Sequence, residues 1–189
     1  MLYTTKILLN HPTRLILTVT GIALCMILML FLFGIYKGVS DGSVEYIREN
    51  KVDLWILQRN STNILRGTSI LSAYHTGRIK KNENVTEVSP VLLLLTTVKN
   101  SNKQSTIFLA GYDTETGLGG PPKLIKGRNV KTDNEIVLDN SFAQKNGFNV
   151  GDELIIIEDT LKVCGISSGT NVFVIQYAFT TLAEAQSLL

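Results

Sequence analysis

The sequence predicts an α+β protein with one N-terminal transmembrane helix followed by a mixed α/β domain. Three observations carry that expectation. Residues 15–36, LILTVTGIALCMILMLFLFGIY, run for 22 positions without a charged side chain. Nothing after Tyr36 approaches 18 consecutive uncharged apolar residues, the longest such cluster being Val91 to Leu95, which has strand length. The remaining chain alternates short apolar clusters with Gly, Asn, Ser and Thr, and the 152 residues after Lys37 suffice for one domain with its own core.

The apolar run comes first because it decides the class. At about 1.5 Å per residue a helix of that length spans roughly 33 Å, enough for the hydrocarbon core of a bilayer. Lys6, His11 and Arg14 precede it and Lys37 follows, while Pro12 suits a first helical turn. A cleaved signal peptide has a shorter apolar region, about 7–15 residues, and a small-residue cleavage site, which Phe33-Gly34-Ile35-Tyr36 does not supply. Lys6 and Arg14 on one side roughly balance Lys37, Arg48 and Lys51 on the other, so charge counting leaves sidedness open.

After the anchor, Val39, Val44 and Ile47 let the helix continue into water and break near Asn50. Residues 53–57 (Asp-Leu-Trp-Ile-Leu) read as a first strand. Ile70, Leu71, Tyr74 and Ile79 share one side of a helical wheel, predicting a short amphipathic helix over 69–80. Extended chain from Val85 to Val98, interrupted at Pro90, and a strand over 105–110 form a hairpin about the turn 100–102. Gly117 to Pro122 cannot be regular structure. Glu135 to Leu138 is a strand, Asp139 or Asn140 caps a short helix, and Gly147 ends it. Strands over 153–158 and 161–166 are expected to turn at Asp159-Thr160, and another strand covers 172–176. Thr181 with Glu184 three residues on is a capping box opening a last helix at Leu182.

No chemical machinery stands out. There is no G-x-x-x-x-G-K-[ST] loop for nucleotide phosphates, and Gly117, Gly119 and Gly120 lack the strand-to-helix setting of a dinucleotide loop. His11 and His75 have no ligand partners at metal spacing. Cys25 lies mid-span and Cys164 reads as a buried strand residue. Asp113, Glu115, Asp133 and Glu135 read as turn caps and surface charge, and Lys123, Lys126, Arg128 and Lys131 as a solvated basic face. A formal net charge of +2 with scattered aromatics gives no nucleic-acid footprint. No catalytic residue, cofactor or metal ligand is therefore assigned.

The order of segments does carry a resemblance. A short basic N-terminus, a span containing Gly21-Ile22-Ala23-Leu24, and then Val52-Asp53-Leu54-Trp55-Ile56 are followed by Val88-Ser89-Pro90, Leu109-Ala110-Gly111-Tyr112-Asp113 and Leu124-Ile125-Lys126-Gly127-Arg128. Glu135-Ile136-Val137-Leu138-Asp139 comes next, with Phe142-Ala143, Gly147, Val150-Gly151-Asp152 and Val163-Cys164-Gly165-Ile166. This pattern resembles the first part of ABC-transporter permease subunits of the MacB/FtsX-like superfamily, including the DevC-like exporters.

The resemblance implies a cytoplasmic N-terminus over 1–14, a membrane helix over 15–36, a helical stalk over 37–52 and an extracytoplasmic MacB-like domain over 53–189, in a bacterial inner or plasma membrane. It implies a separate cytoplasmic ABC ATPase that hydrolyses ATP, a second permease copy in a dimer, and a periplasmic adaptor or cell-surface protein as a further partner. Three more membrane helices belong to that pattern, so the chain is expected to be the front of a longer subunit or a truncated one. Lys37 and Gly38, where the helix leaves the span, and Asp53 and Trp55, which follow the stalk, are the expected coupling residues. A single-span anchored domain that binds or regulates another protein is the alternative.

Overall fold

The computed structural model describes residues 12–61, 69–72, 74–100, 103–172 and 175–189. The chain divides into two compact units at Asp41/Gly42, and each is described by itself. The N-terminal unit is helical. Helix α1 spans Pro12–Glu49, its last turns belonging to the second unit, and Gly21 and Gly34 lie within it without a break. An 18-residue window has mean hydropathy 2.8 and none of it is buried, so the helix is long and apolar enough to cross a membrane.

The second unit is built on one mixed sheet. Strands β1 (Val91–Asn100) and β2 (Lys103–Tyr112) form a long antiparallel hairpin, whose expected turn at 101–102 lies outside the described residues. Next come β3 (Lys123–Gly127), β4 (Glu135–Asp139), β5 (Glu153–Ile156), β6 (Asp159–Ser168), β7 (Asn171–Val172) and β8 (Ile175–Thr181). Short helices α2 (Tyr74–Ile79), α3 (Asn140–Asn146) and α4 (Leu182–Ser187) complete the order. The pairings β2-β1-β5-β6-β4-β8 close on themselves through a parallel β8–β2 contact, while β3 pairs with β6 and β7 with β8 outside that circuit. The fold is α+β, as the pattern of short apolar clusters predicts.

Strand alternation gives the sheet two buried faces. On one, all six strands of the circuit converge: Val98, Ile107, Leu109, Ile136, Leu138, Leu154, Ile156, Leu161 and Val163 pack with Ala178 and with Phe142 and Phe148 at α3. The intervening residues Ala110, Tyr112, Val137, Tyr177 and Phe179 face the other way, into a second cluster that includes Tyr46 of α1. A register shift in the β4–β6 pairing makes Cys164 the extra residue between Val163 and Gly165, and its thiol donates to the Ile136 carbonyl at 3.4 Å. A matching shift in β3 leaves Ile125 on the outside, 47% exposed.

The caps form largely as the residue types dictate. The Asp139 carboxylate accepts from Ser141 N at 2.8 Å and Gly147 ends α3 at φ +76°. Thr181 Oγ1 accepts from Glu184 N at 3.1 Å at the start of α4. The second half of that capping box goes elsewhere: Glu184 Oε2 accepts from Asn134 N at 3.1 Å, tying α4 to the loop before β4.

Four expectations need correction. Residues 53–57 join no sheet among the described residues; Trp55 packs instead into the aromatic cluster with Tyr46. The helix expected over 69–80 is confined to Tyr74–Ile79 and buries nothing, so its apolar side has no core to face. The β5–β6 turn falls at Ile157-Glu158 rather than Asp159-Thr160, because pairing Leu154 with Leu161 and Ile156 with Asp159 puts both leucines in the core. The strand expected over 172–176 is two strands, β7 and β8, paired Asn171 to Gln176 and Val172 to Ile175; residues 173–174 between them lie outside the described residues.

Candidate functional site

The most organised feature outside the aliphatic core is the end of α1. Tyr46, 1% exposed, sits in the last turns of the helix and stacks on Tyr177 of β8, with ring centroids 4.4 Å apart. Phe179, two residues along β8 on the same face, lies 6.0 Å from Tyr46, and Trp55 lies 5.7 Å from it on the other side. Phe108 and Tyr112 of β2 extend the cluster, at 5.6 Å from Tyr177 and 6.5 Å from Phe179. Aromatic pairs at these separations add about 0.5–1.5 kcal/mol each beyond their area burial. Ile47 packs beside them.

The hydroxyl of Tyr46 donates to the Gly119 carbonyl at 2.6 Å. That acceptor sits in the glycine-rich loop, and the glycines are there for space. Gly119 holds φ +79°, and a Cβ on Gly120 would lie 2.7 Å from the Tyr112 ring. Helix α1 then closes: Asn50 N and Nδ2 both donate to the Tyr46 carbonyl, at 3.2 and 3.3 Å, and Lys51 reverses the chain at φ +51°. The root of α1 is thus fixed to strand β8 and the glycine-rich loop by stacking and one buried hydrogen bond.

Of the four expected coupling residues, Trp55 joins this cluster, half-buried, with a buried indole N–H that has no partner among the described residues. Asp53 is exposed in the bend before it. Lys37 and Gly38 are exposed positions of α1. No local motif singles out Tyr46, Tyr177 or Phe179, and the sequence shows Gly119 only as part of a glycine-rich loop. The available signal was the Tyr177-Phe179 alternation on one strand face, together with an aromatic residue beside Ile47 in an otherwise charged helix end.

Titratable groups here serve structure. The Arg128 guanidinium hydrogen-bonds both Glu135 carboxylate oxygens, one of them Nη1 to Oε2 at 2.8 Å, and holds that carboxyl down at about 2. Burial pushes the Cys164 thiol up to about 11 and the Tyr112 phenol up to about 12, so neither is an activated nucleophile. Asp113 caps its own turn through Glu115 N at 3.0 Å, and Asp133 accepts from the Thr181 hydroxyl. The Asp113, Asp133 and Glu135 carboxylates thus have separate partners, and among the described residues no group of three His, Cys, Asp or Glu is placed to hold a metal ion.

A family model described as the MacB-like periplasmic core domain matches residues 15–189. The chain belongs to that family. The MacB-like fold is also found in solved structures. The periplasmic region of MacB from Actinobacillus actinomycetemcomitans superposes with TM-score 0.51 at 19% identity, over 62% of this chain and 58% of that one. The extracellular domain of the noncanonic ABC-type transporter YknZ from Gram-positive bacteria gives TM-score 0.51 at 12% identity, over 62% and 65%. The chain thus spans less than two thirds of either structure. No curated protein matches it. Membership makes this a permease domain, and the resemblance read from the segment order is the family the chain belongs to.

Proposed function

We propose that this MacB-like chain is the membrane anchor and extracytoplasmic domain of a permease subunit in an ATP-driven ABC-type export or extraction system. In this reading the N-terminus is cytoplasmic, a separate ABC ATPase supplies hydrolysis, a second permease copy completes the pair, and a periplasmic adaptor or cell-surface protein meets the outer domain. Helix α1 carries motion from the membrane to the domain.

The observation that supports the reading is the Tyr46 anchorage. A helix that only tethered a domain would need no buried stacked ring at its end, whereas a helix that moves a domain must grip it. Lys37 and Gly38 lie where that helix leaves the apolar run, and Asp53 and Trp55 follow its root.

The test is a Gly-Ser insertion after Lys37 in the assembled permease and ATPase complex. Spin labels on Lys126→Cys, in a Cys25→Ser background, read the distance between the two outer domains with and without ATP. The insertion is expected to preserve membrane insertion, assembly and ATP hydrolysis while abolishing the ATP-dependent distance change. A distance change of normal size in the insertion variant overturns the coupling role of α1.

A further inference from the structure

The turn between β6 and β7 is held on two sides. On one side it meets the end of α1. Gly169 keeps φ +84°, and a Cβ built on it would lie 3.5 Å from Glu49 Cγ and 3.7 Å from Pro122 Cγ, ordinary van der Waals contact. Strand β7 follows at once, and its Asn171 pairs with Gln176, the neighbour of the Tyr177 on which Tyr46 stacks. The last turns of α1 thus bear on both chain neighbours of Thr170.

On the other side Thr170, with no exposed surface, donates its hydroxyl to Asp139 Oδ2 at 2.7 Å. Asp139 is 2% exposed, and its Oδ1 accepts from Ser141 N at 2.8 Å as the N-cap of α3. One buried carboxyl group therefore joins the β6–β7 turn to the first turn of α3. The helix has seven residues, too few to persist without support. Phe142 and Ala143 supply that support from the core side. The first turn depends on the cap, because the leading N–H groups have no carbonyl partner within the helix. That turn has two states, capped or frayed, and the orientation of Asp139 chooses between them. A bistable element of this kind is what coupling between separated sites requires.

We propose that Asp139 is a positioning residue linking the end of α1 to α3. A displacement of the helix end shifts the β6–β7 turn, swings the Asp139 carboxyl through Thr170, and loosens the first turn of α3. The exposed side of α3, Ser141, Gln144 and Lys145, then changes with the membrane helix. The link deepens the coupling role given to α1 and rests on that reading for its use. It operates in the chain without ATP, so its failure and the failure of that role are read in different experiments.

The experiment measures amide exchange in the full chain in nanodiscs. Tyr46→Ala, which frees the helix end, is expected to accelerate exchange at Ser141 to Ala143 by about fivefold or more, while the α4 amides change by less than about twofold. Helix α4 is the control because it follows directly on β8, which carries Tyr177 and Phe179, so a general loosening of the aromatic face would reach it too. In Thr170→Val, which keeps the shape and removes the hydroxyl, the effect of Tyr46→Ala on α3 should vanish; in Thr170→Ser, which keeps the hydroxyl, it should remain. A merely structural hydroxyl would raise α3 exchange in Thr170→Val and leave the Tyr46→Ala increment in place. No acceleration at α3 in Tyr46→Ala, equal acceleration at α3 and α4, or an undiminished increment in Thr170→Val would each overturn the proposal. The first two are read in the single variant and hold even if Thr170→Val does not fold.

Discussion

On one face of the sheet Ile107, Leu109, Ile136, Leu138 and Leu161 meet aliphatic neighbours and two phenylalanines; on the other, Tyr112, Tyr177 and Phe179 receive a tyrosine from the membrane helix and a tryptophan from the segment after it. The two faces alternate along the same strands, so neither exists without the other. They differ in what closes them. The aliphatic face is closed by its own strands and by α3 and α4. The aromatic face is closed by chain arriving from α1, through rings that stack and a Tyr46 hydroxyl that donates to the Gly119 carbonyl. The difference suggests a division in which the first face sets the stability of the domain and the second sets how firmly the helix end is held.

The largest effect that tests this division is expected from Leu109→Ala. Leu109 is fully buried, and a Leu→Ala change in such a site costs about 3–4 kcal/mol through lost burial and the cavity left behind. Urea unfolding should show the midpoint falling with the slope unchanged. Tyr46→Ala removes a larger side chain, at about 3 kcal/mol because the ring sits at a helix end, but its signature should be local. Amide exchange over the last turn of α1 should accelerate at least a hundredfold while the β2, β4 and β8 amides keep most of their protection. Equal loss of protection across both faces would show that the aromatic cluster is simply more core.

Tyr46→Phe sharpens the comparison by keeping the ring and removing the hydroxyl. The Gly119 carbonyl, itself buried, then loses its donor at a cost of about 1–2 kcal/mol. Exchange at the helix end should rise less than in the alanine variant. An unchanged profile would mean that stacking on Tyr177 alone holds the root.

Much of this was legible in the sequence, for reasons that vary by element. The long apolar helix follows from residues 15–36 alone, since an uncharged run of that length is enough to cross a membrane. The α3 and α4 caps were readable because Asp139, Thr181 and Gly147 act on their own backbones within three residues. The ladder partners of 53–57 were not readable: strand propensity in Leu-Trp-Ile-Leu says the backbone is extended, and pairing depends on whether a distant edge is free. The β5–β6 turn was misplaced because Asp159-Thr160 carries the stronger local turn signal, while the core pairing of Leu154 with Leu161 overrides it. The aromatic root was missed because Tyr46 meets Gly119 across 73 positions, a relation no local pattern contains.

The Arg128–Glu135 pair gives an effect confined to acid. Glu135 is held near 2 in the folded chain against an ordinary value of 4.5. A depressed folded value means that the stabilisation is present in full above the unfolded value and is lost as pH falls from about 4.5 towards 2. Arg128 is half exposed, so solvent screens the pair and the effect is modest. Glu135→Gln should flatten the acid limb of the stability profile over that window and leave the helix-end exchange untouched. A change in exchange at Tyr46 would couple this pair to the aromatic face.

The smallest effect is expected at the β5–β6 tip, and it bears on the aliphatic face. Ile157 adopts φ +59°, a conformation that costs a β-branched residue about 1–2 kcal/mol, and its side chain is half exposed, with little burial to offset that. The strain persists because the two-residue loop keeps Leu154 opposite Leu161 and Ile156 opposite Asp159. A one-residue shift of the pairing would carry leucines out of the core. Ile157→Gly removes the steric conflict but adds backbone freedom to the unfolded chain, about 0.5–1 kcal/mol, so a net gain of about 0.5 kcal/mol is expected in urea unfolding. If the glycine variant is instead less stable, the Ile157 side chain is holding the tip, and the register of the aliphatic face is not set by the paired leucines alone.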